Sequence, residues 1–172
     1  ALIEDVIMGC VSQVGEQSLN VGRNAALAAG FPETVVGTTV DRQCGSSQQS
    51  LHFAAQGVIA GAYDVVIAAG VESMSRVPMG TSTGIGGAPF GPAMMQRYIE
   101  QNLYGAGGLV PQGLSAEIIA AKWELTREAL DEFSVGSHQK AAAATRNGWF
   151  MNEIVPVEVK RPDGSRDVIT TD

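Results

Sequence analysis

The stretch "CGSSQQSLHFAAQGVIAGAYDVVIAAG" (residues 44–70) is the most informative about the architecture, because it joins a helical pattern to a strand pattern. From Gly45 to Ala62, small and apolar residues recur at steps of three and four, and more apolar residues occupy the other faces. Such a segment predicts a helix that lies inside the protein, between two layers. Asp64–Gly70 is almost continuously apolar, which is typical of a strand buried in a parallel sheet.

The residues before this stretch show the same alternation of strand and helix. Glu4–Val11 and Thr34–Val40 are short runs rich in branched residues, and both predict strands. Between them, Asn20–Gly30 predicts a helix with Asn20 as its N-cap and Gly30 as its end. The order strand, helix, strand, helix, strand predicts an α/β fold with right-handed crossovers.

The composition changes after Glu72, where Gly, Pro, Ser and Thr become frequent. We therefore expect an α/β core over residues 1–72 and a mixed insertion over residues 73–172. The insertion is predicted to contain three further helices: Ala93–Leu103, Leu114–Leu125 and Thr126–Gly148. Ser115 is the expected cap of the second of them. The turn sequence "RPDGS" (residues 161–165) predicts a hairpin between two short strands.

Composition excludes several classes of function. The chain has 172 residues and a net charge of -7, without a run of Lys or Arg, so nucleic acid and anionic membranes are poor candidates for partners. No apolar run is long enough to span a membrane, and no signal peptide is visible. The two cysteines, Cys10 and Cys44, have no metal-ligand spacing, which predicts free thiols and no metal site. Because the chain starts at Ala1 and stops beside a strand, we expect an internal piece of a longer protein.

Cys44 has two possible roles at this point. Free cysteines are most often inert packing residues, and Cys10, inside a strand, fits that role. Cys44 instead sits where unpaired N–H groups at a helix start favour a thiolate and can hold the oxyanion of a thioester. His52 follows about 12 Å further along the same helix and cannot act as its base. Glu72 is either a general base or, as is commoner at a strand end, a partner of nearby backbone.

No base for Cys44 is therefore found in this sequence. His138 lies on an amphipathic helix and is expected to be solvated. We expect the catalytic partner of Cys44 to lie outside the chain.

Four segments together resemble the thiolase family, the acetyl-CoA C-acyltransferases. They are "DRQCGSSQQS" (41–50), "GAYDVVIAAGVESMSRVPMG" (61–80), "GLSAEIIAAKWELTREALDEFSVGSHQKAAAA" (113–144) and "NEIVPVEVK" (152–160). The resemblance implies a layered α/β/α/β/α fold made of two similar halves, each a mixed sheet with helices on both faces. Residues 1–72 would belong to the N-terminal half and residues 73–172 to an inserted loop domain that binds CoA and substrate. The C-terminal half would be absent.

The resemblance also implies a mechanism. Cys44 would be the nucleophile that carries the acyl group, and its backbone N–H would contribute to an oxyanion hole. The reaction would be cleavage of a 3-oxoacyl-CoA by CoA, as in β-oxidation, or the reverse Claisen condensation. Coenzyme A would be a co-substrate, with no permanently bound cofactor. The activating His and the second Cys, in a C-x-G-G-G motif, do not occur here, so the chain alone would be inactive.

Family membership further implies acyl-CoA and CoA as partners and a homodimer or homotetramer. The compartment would be the bacterial cytoplasm, or alternatively a mitochondrial or peroxisomal matrix. One departure concerns specificity: Pro111, Gln112 and Gly113 stand where short-chain biosynthetic thiolases have His-Met-Gly lining the acyl pocket. This difference predicts an acyl group that is bulkier than, or different from, that of acetoacetyl-CoA.

Two alternatives stay open. A ketoacyl-synthase-like condensing enzyme also places Cys at a helix start, but its flank is closer to Ala-Cys-Ser, and the "ESMS" segment (72–75) favours a thiolase. A non-catalytic, lipid- or partner-binding thiolase relative is the other alternative, and retention of Cys44 argues against it.

Overall fold

The computed structural model describes residues 2–84 and 89–171. They form two compact units, residues 1–91 and 92–172. In the described part of the first unit, three strands alternate with two α-helices: β1 (Asp5–Gly9), α1 (Val21–Ala28), β2 (Val36–Val40), α2 (Ser46–Ala60) and β3 (Val66–Gly70). The prediction of an α/β fold is confirmed.

The three strands form a parallel sheet in the order β2-β1-β3. The two helices cover opposite faces, as the alternation of side chains along β1 shows. Val6 packs in a buried cluster with Ala26 of α1 and Val35, whereas Gly9 faces the start of α2 at Ser47. The central strand is therefore covered by a helix on each side.

Local capping explains where the first helix begins and where the second ends. The Asn20 side chain accepts a hydrogen bond from the N–H of Arg23, as predicted for the cap of α1. Helix α2 ends at Gly61, which adopts a left-handed conformation with φ of 72°. Both helix predictions are confirmed to within two residues at each end.

The burial of α2 differs from the prediction of a helix enclosed between two layers. The face toward the sheet is buried and mostly polar, and consists of Ser46, Gln49, Ser50 and Ala54. The large apolar side chains of the helix are instead exposed: Leu51, Phe53, Val58 and Ile59. The sheet reaches only one side of the helix, and within residues 2–84 no second layer covers the other side.

Over residues 92–171, the second unit contains three α-helices and one hairpin. These are α3 (Pro92–Gln101), α4 (Gln112–Lys122), α5 (Arg127–Arg146) and the antiparallel pair β4 (Val157–Lys160) and β5 (Arg166–Ile169). Thr126 caps α5 by accepting the N–H of Ala129, and the hairpin is present as predicted. Among the described helices, none is both long and apolar enough to cross a bilayer.

The prediction that Ser115 caps α4 is wrong. Helix α4 begins about one turn earlier, after Pro111, and Ser115 lies inside it. Pro111 has φ near -60° with an extended ψ, which suits the residue before a first helical turn. The Ser115 hydroxyl instead lies 3.3 Å from the Pro111 carbonyl oxygen.

Candidate active site

The carboxyl ends of β1 and β3 meet the start of α2 at one edge of the sheet. The chain leaves β1 for β2 on one side and then crosses back to β3 on the other, so the direction of the connections reverses between β1 and β3. In α/β proteins, ligands bind at the carboxyl ends of the strands at such points. A cavity of about 390 Å³ opens at this edge. Its lining comes from all three elements: Gly9, Cys10, Val11, Cys44, Ser46, Ser47, Gly70, Val71 and Glu72.

Two glycines let α2 approach the strand ends this closely. A Cβ at Gly70 would lie 2.6 Å from the Cβ of Ser47, and one at Gly9 would meet the backbone of Ser46 and Ser47. The buried Ser50 hydroxyl lies between the Ser47 carbonyl oxygen of its own helix, at 2.7 Å, and the Ala69 carbonyl oxygen of β3, at 2.9 Å. The start of α2 is thus held against the backbone of the sheet.

Cys44 lies in the short loop that leads into α2. Asp41 accepts the N–H of Gln43 at 2.7 Å, and the N–H of Gly45 donates to the Arg42 carbonyl at 3.2 Å. Gln43 has φ of 25°, an uncommon conformation for a residue other than glycine. This compact loop leaves the thiol of Cys44 exposed, two residues before the first residue of the helix. The prediction that Cys44 lies just before the first turn is confirmed.

The start of α2 places backbone N–H donors beside this thiol that have no acceptor within the helix. The first backbone N–H groups of any helix have no acceptor within it, and Gly45 at the N-cap position makes no side-chain cap hydrogen bond. Ser46 and Ser47, which supply these N–H groups, line the same cavity as Cys44. The arrangement therefore combines a nucleophile with donors that can stabilise an oxyanion.

A second, more apolar cavity of about 290 Å³ also opens at Cys44. Two flexible thioether side chains, Met74 and Met79, form its apolar wall. Cys44 and Glu72 line both cavities. An acyl group bound to Cys44 would have this second cavity beside it.

The Glu72 carboxylate accepts hydrogen bonds mainly from backbone N–H groups. Its carboxylate accepts the N–H of Val11 at 2.8 Å, the N–H of Ser12 at 3.2 Å and the amide of Gln17 at 2.9 Å. Desolvation alone would raise the pKa of Glu72, but these hydrogen bonds outweigh it and hold that pKa below its usual range. The interpretation of Glu72 as a partner of nearby backbone is confirmed, and a carboxylate held in this way is a poor base.

The other residues considered from the sequence are Cys10, His52 and His138. Cys10 is buried, as expected for a packing residue, and its pKa is raised by desolvation and then by the negative charges of Glu72 and Asp41. His52 is exposed and lies 2.9 Å from the side chain of Gln48, and His138 is exposed on α5. In the described part of the chain, no histidine lines either cavity at Cys44.

Pro111, Gln112 and Gly113 belong to the second unit. They are exposed at the start of α4. The neighbouring residues Val110 and Ser115 line a mostly apolar cavity of about 220 Å³ within that unit. Across residues 2–84 and 89–171, no group of three His, Cys, Asp or Glu side chains is placed to hold a metal ion.

Sequence reasoning missed Gln17. Its side chain is 4% exposed and contacts the ends of both β1 and β3, although it lies in a short 3-10 turn, Gly15–Gln17. A single polar residue in a loop carries no periodic signal, so nothing in the sequence pattern marks it.

The comparisons with known proteins agree on one family. The family model described as "Thiolase, N-terminal domain" matches residues 1–172. The chain is 44% identical over 161 residues to a steroid 3-ketoacyl-CoA thiolase of Mycobacterium tuberculosis, covering 93% of this chain and 39% of that protein. It is 42% identical over 177 residues to a beta-ketoadipyl-CoA thiolase of Acinetobacter baylyi, covering 100% of this chain and 44% of that protein.

A solved structure also indicates the thiolase family. The crystal structure of the Bacillus anthracis acetyl-CoA acetyltransferase matches 99% of this chain with a TM-score of 0.75 and 31% sequence identity. The chain covers 43% of that structure and, likewise, only about two fifths of the length of the curated relatives. On the match to the family model and on these relatives, the chain belongs to the thiolase family and corresponds to its N-terminal domain.

Proposed function

We propose that Cys44 is the nucleophile of a thiolase reaction that transfers acyl groups to and from coenzyme A. The observation that carries this proposal is the exposed thiol at the mouth of two cavities, directly before the first N–H groups of α2, which have no acceptor within the helix. The Cys44 thiolate attacks the 3-oxo carbon of a 3-oxoacyl-CoA. The bond between C2 and C3 then breaks, and its electron pair leaves with acetyl-CoA as an enolate, which takes up a proton.

The acyl group now forms a thioester with Cys44. The sulfur of a second CoA attacks its carbonyl carbon, gives up its proton, and releases the Cys44 thiolate with a shortened acyl-CoA. Run backwards, the same steps condense two acyl-CoA molecules. The backbone N–H groups at Cys44 and at the start of α2 are suited to stabilise the oxyanion that develops when the carbonyl is attacked.

Both proton transfers need groups other than Glu72. Its carboxylate already accepts three N–H donors, and no histidine of the described chain lines the site. We therefore propose that an activating His and a second Cys come from a part of the enzyme that these 172 residues do not contain. On this proposal the chain alone binds no acyl group covalently at a useful rate.

The acyl group is proposed to lie in the cavity lined by Met74 and Met79. Methionine side chains adapt to irregular apolar shapes, which suits a bulky acyl chain. The replacement of His-Met-Gly by Pro111, Gln112 and Gly113 supports the same preference. Two relatives are named for substrates larger than acetoacetyl-CoA, a steroid 3-ketoacyl-CoA and a beta-ketoadipyl-CoA.

Trapping the covalent intermediate tests the proposal. The intact enzyme is mixed with a 3-oxoacyl-CoA in the absence of free CoA, stopped with acid, digested and analysed by mass spectrometry. We expect the acyl mass on the peptide that contains Cys44, and its loss when CoA is added. The peptide that contains Cys10 is the internal control and should stay unmodified. An acyl group on another residue, or none at all with a turning-over enzyme, contradicts the proposal.

Assembly is a separate proposal. The described sheet ends in two edge strands, β2 and β3, and Val36 of β2 is 55% exposed. Edge strands of this kind pair readily with another chain. We propose a homodimer or homotetramer that acts in the bacterial cytoplasm, and light scattering coupled to size-exclusion chromatography tests its size.

A further inference from the structure

A buried amide joins the two strand ends that form the wall of the site. The side chain of Gln17 donates to the Ser12 carbonyl at 2.9 Å and to the Glu72 carboxylate at 2.9 Å. Its oxygen accepts the N–H of Ser73 at 2.7 Å. Ser12 follows β1 and Ser73 follows β3, so one side chain connects both ends.

The partners fix the orientation of this amide. A flipped amide would place its oxygen against the Ser12 carbonyl and the Glu72 carboxylate, and its NH₂ group against the N–H of Ser73. Glu72 in turn holds the N–H groups of Val11 and Ser12. The group of hydrogen bonds made by Gln17 and Glu72 is called the strand-end clamp below.

The residues held by the clamp are those that face Cys44. Val11 and Glu72 line both cavities at the thiol, and Ser12 lines the apolar one. Ser73 begins the turn that carries Met74, and its carbonyl accepts the N–H of Val77 at 2.8 Å. A displacement of the strand-end clamp would therefore move the cavity-lining residues Val11, Ser12 and Glu72, and Met74 with them.

We propose that Gln17 is a positioning residue, which holds the ends of β1 and β3 in the arrangement that acyl transfer at Cys44 requires. The kinetic part of this inference rests on the proposed function of Cys44. Misplacement of a reacting group by about 1 Å costs up to about 100-fold in rate. Gln17 is too deeply buried to contact substrate itself, since its side chain is only 4% exposed.

Gln17→Leu in the intact enzyme removes the clamp while keeping a side chain of similar size. We expect kcat per folded active site to fall by about 10-fold or more, with a smaller change in KM for CoA. The control is Arg76→Ala, which breaks the exposed 2.6 Å ion pair between Glu16 and Arg76 on the same segments. Exposed ion pairs contribute little, so this variant should keep the kcat of the parent enzyme.

Gln17→Glu gives a readout that a purely structural role would not produce. It places a second carboxylate within hydrogen-bond distance of Glu72, and such a pair binds a shared proton more readily than either group alone. The kcat of this variant relative to the parent should therefore rise as the pH is lowered from 8 to 6, and Gln17→Leu should show no such recovery. Other ionisable groups at this end of the sheet include Cys10, Asp41, Cys44 and the ion pair of Glu16 and Arg76, and they are unchanged in both variants.

The inference would be overturned if both Gln17 variants had the kcat of the parent enzyme and its pH dependence. If the variants fail to fold, hydrogen exchange on the unmodified enzyme decides: the N–H groups of Val11, Ser12 and Ser73 should be protected, and exchange at unprotected rates would overturn the clamp. This readout needs no catalysis. An enzyme with a protected clamp but no acyl group on Cys44 would therefore refute the proposed function and leave the clamp standing.

Discussion

The nitrogen of Ser47 occupies the space that a Cβ on Gly9 would need. A Cβ built there lies 2.3 Å from that nitrogen and 2.4 Å from the carbonyl carbon of Ser46. The first turn of α2 therefore rests directly on the last residue of β1, and the two cannot be separated without moving Cys44.

Gly9→Ala should displace the start of α2. Both neighbours are backbone atoms, which cannot rotate away, so we expect a loss of roughly 1–3 kcal/mol in the free energy of unfolding and a lower kcat. Urea unfolding and steady-state assays of the intact enzyme measure the two effects. Gly136→Ala is the control, because no atom lies within 4 Å of a Cβ at that helical position. Equal stability of Gly9→Ala and the parent would contradict the observed packing.

Cys44→Ser should abolish acyl transfer without unfolding the protein. A serine hydroxyl is far less nucleophilic than a thiolate, so we expect kcat to fall by at least about 1,000-fold. Because Cys44 is exposed, the melting temperature should change by little. Activity within about 10-fold of the parent would show that another group carries the acyl chain.

Glu72→Gln should weaken the protein near neutral pH and change its acid sensitivity. The folded pKa of Glu72 is lowered, so its contribution is present above the ordinary value of about 4.3 and is lost as the pH falls through the folded pKa. The variant should melt below the parent at pH 7, and the gap should shrink below about pH 4.3. Thermal melts between pH 3 and 7 measure this. A gap that is constant across the range would contradict a charged, hydrogen-bonded Glu72.

Ser50→Ala should loosen α2 from the sheet. The Ser50 side chain is fully buried, and its loss leaves the Ala69 carbonyl without that hydroxyl. We expect a cost of about 1–2 kcal/mol, measured by urea unfolding of the intact enzyme. Ser75→Ala, at an exposed position, is the matched control and should be neutral. A neutral Ser50→Ala would mean that this hydroxyl does not hold the helix.

Met74→Trp should alter substrate preference. A larger ring would fill part of the apolar cavity at Cys44, so kcat/KM for long-chain or ring-bearing 3-oxoacyl-CoA should fall, while kcat/KM for acetoacetyl-CoA should be little affected. Competition assays with paired substrates measure the ratio. An equal loss for both substrates would place the bulky acyl group elsewhere.

Local sequence patterns predicted the elements of the first unit because each is set by its own residues. Asn20 caps α1 with its own side chain, and Gly61 ends α2 through its own φ of 72°. The position of Cys44 before α2 follows from the same local rules.

Long-range contacts set the features that the sequence did not reveal. Gln17 meets Glu72 across 55 residues, so the strand-end clamp exists only after the sheet has formed. The periodicity of α2 shows which faces of the helix are apolar, but it does not show whether another element covers them. Ile59, for example, lies on an apolar face and is 87% exposed. The error at the start of α4 has a local cause. The Ser115 hydroxyl has the chemistry of a helix cap, but the backbone of Pro111 has the conformation that the residue before a helix needs.

The contrast between the two thiols has a practical consequence. Cys10 is 1% exposed, whereas Cys44 is open to the surroundings. Of the two cysteines of this sequence, a maleimide dye or a spin label would therefore attach at one defined place, with no need to engineer the other away. Because Cys44 is also the proposed nucleophile, such a label would block acyl transfer and would report on the surroundings of the mouth of the site.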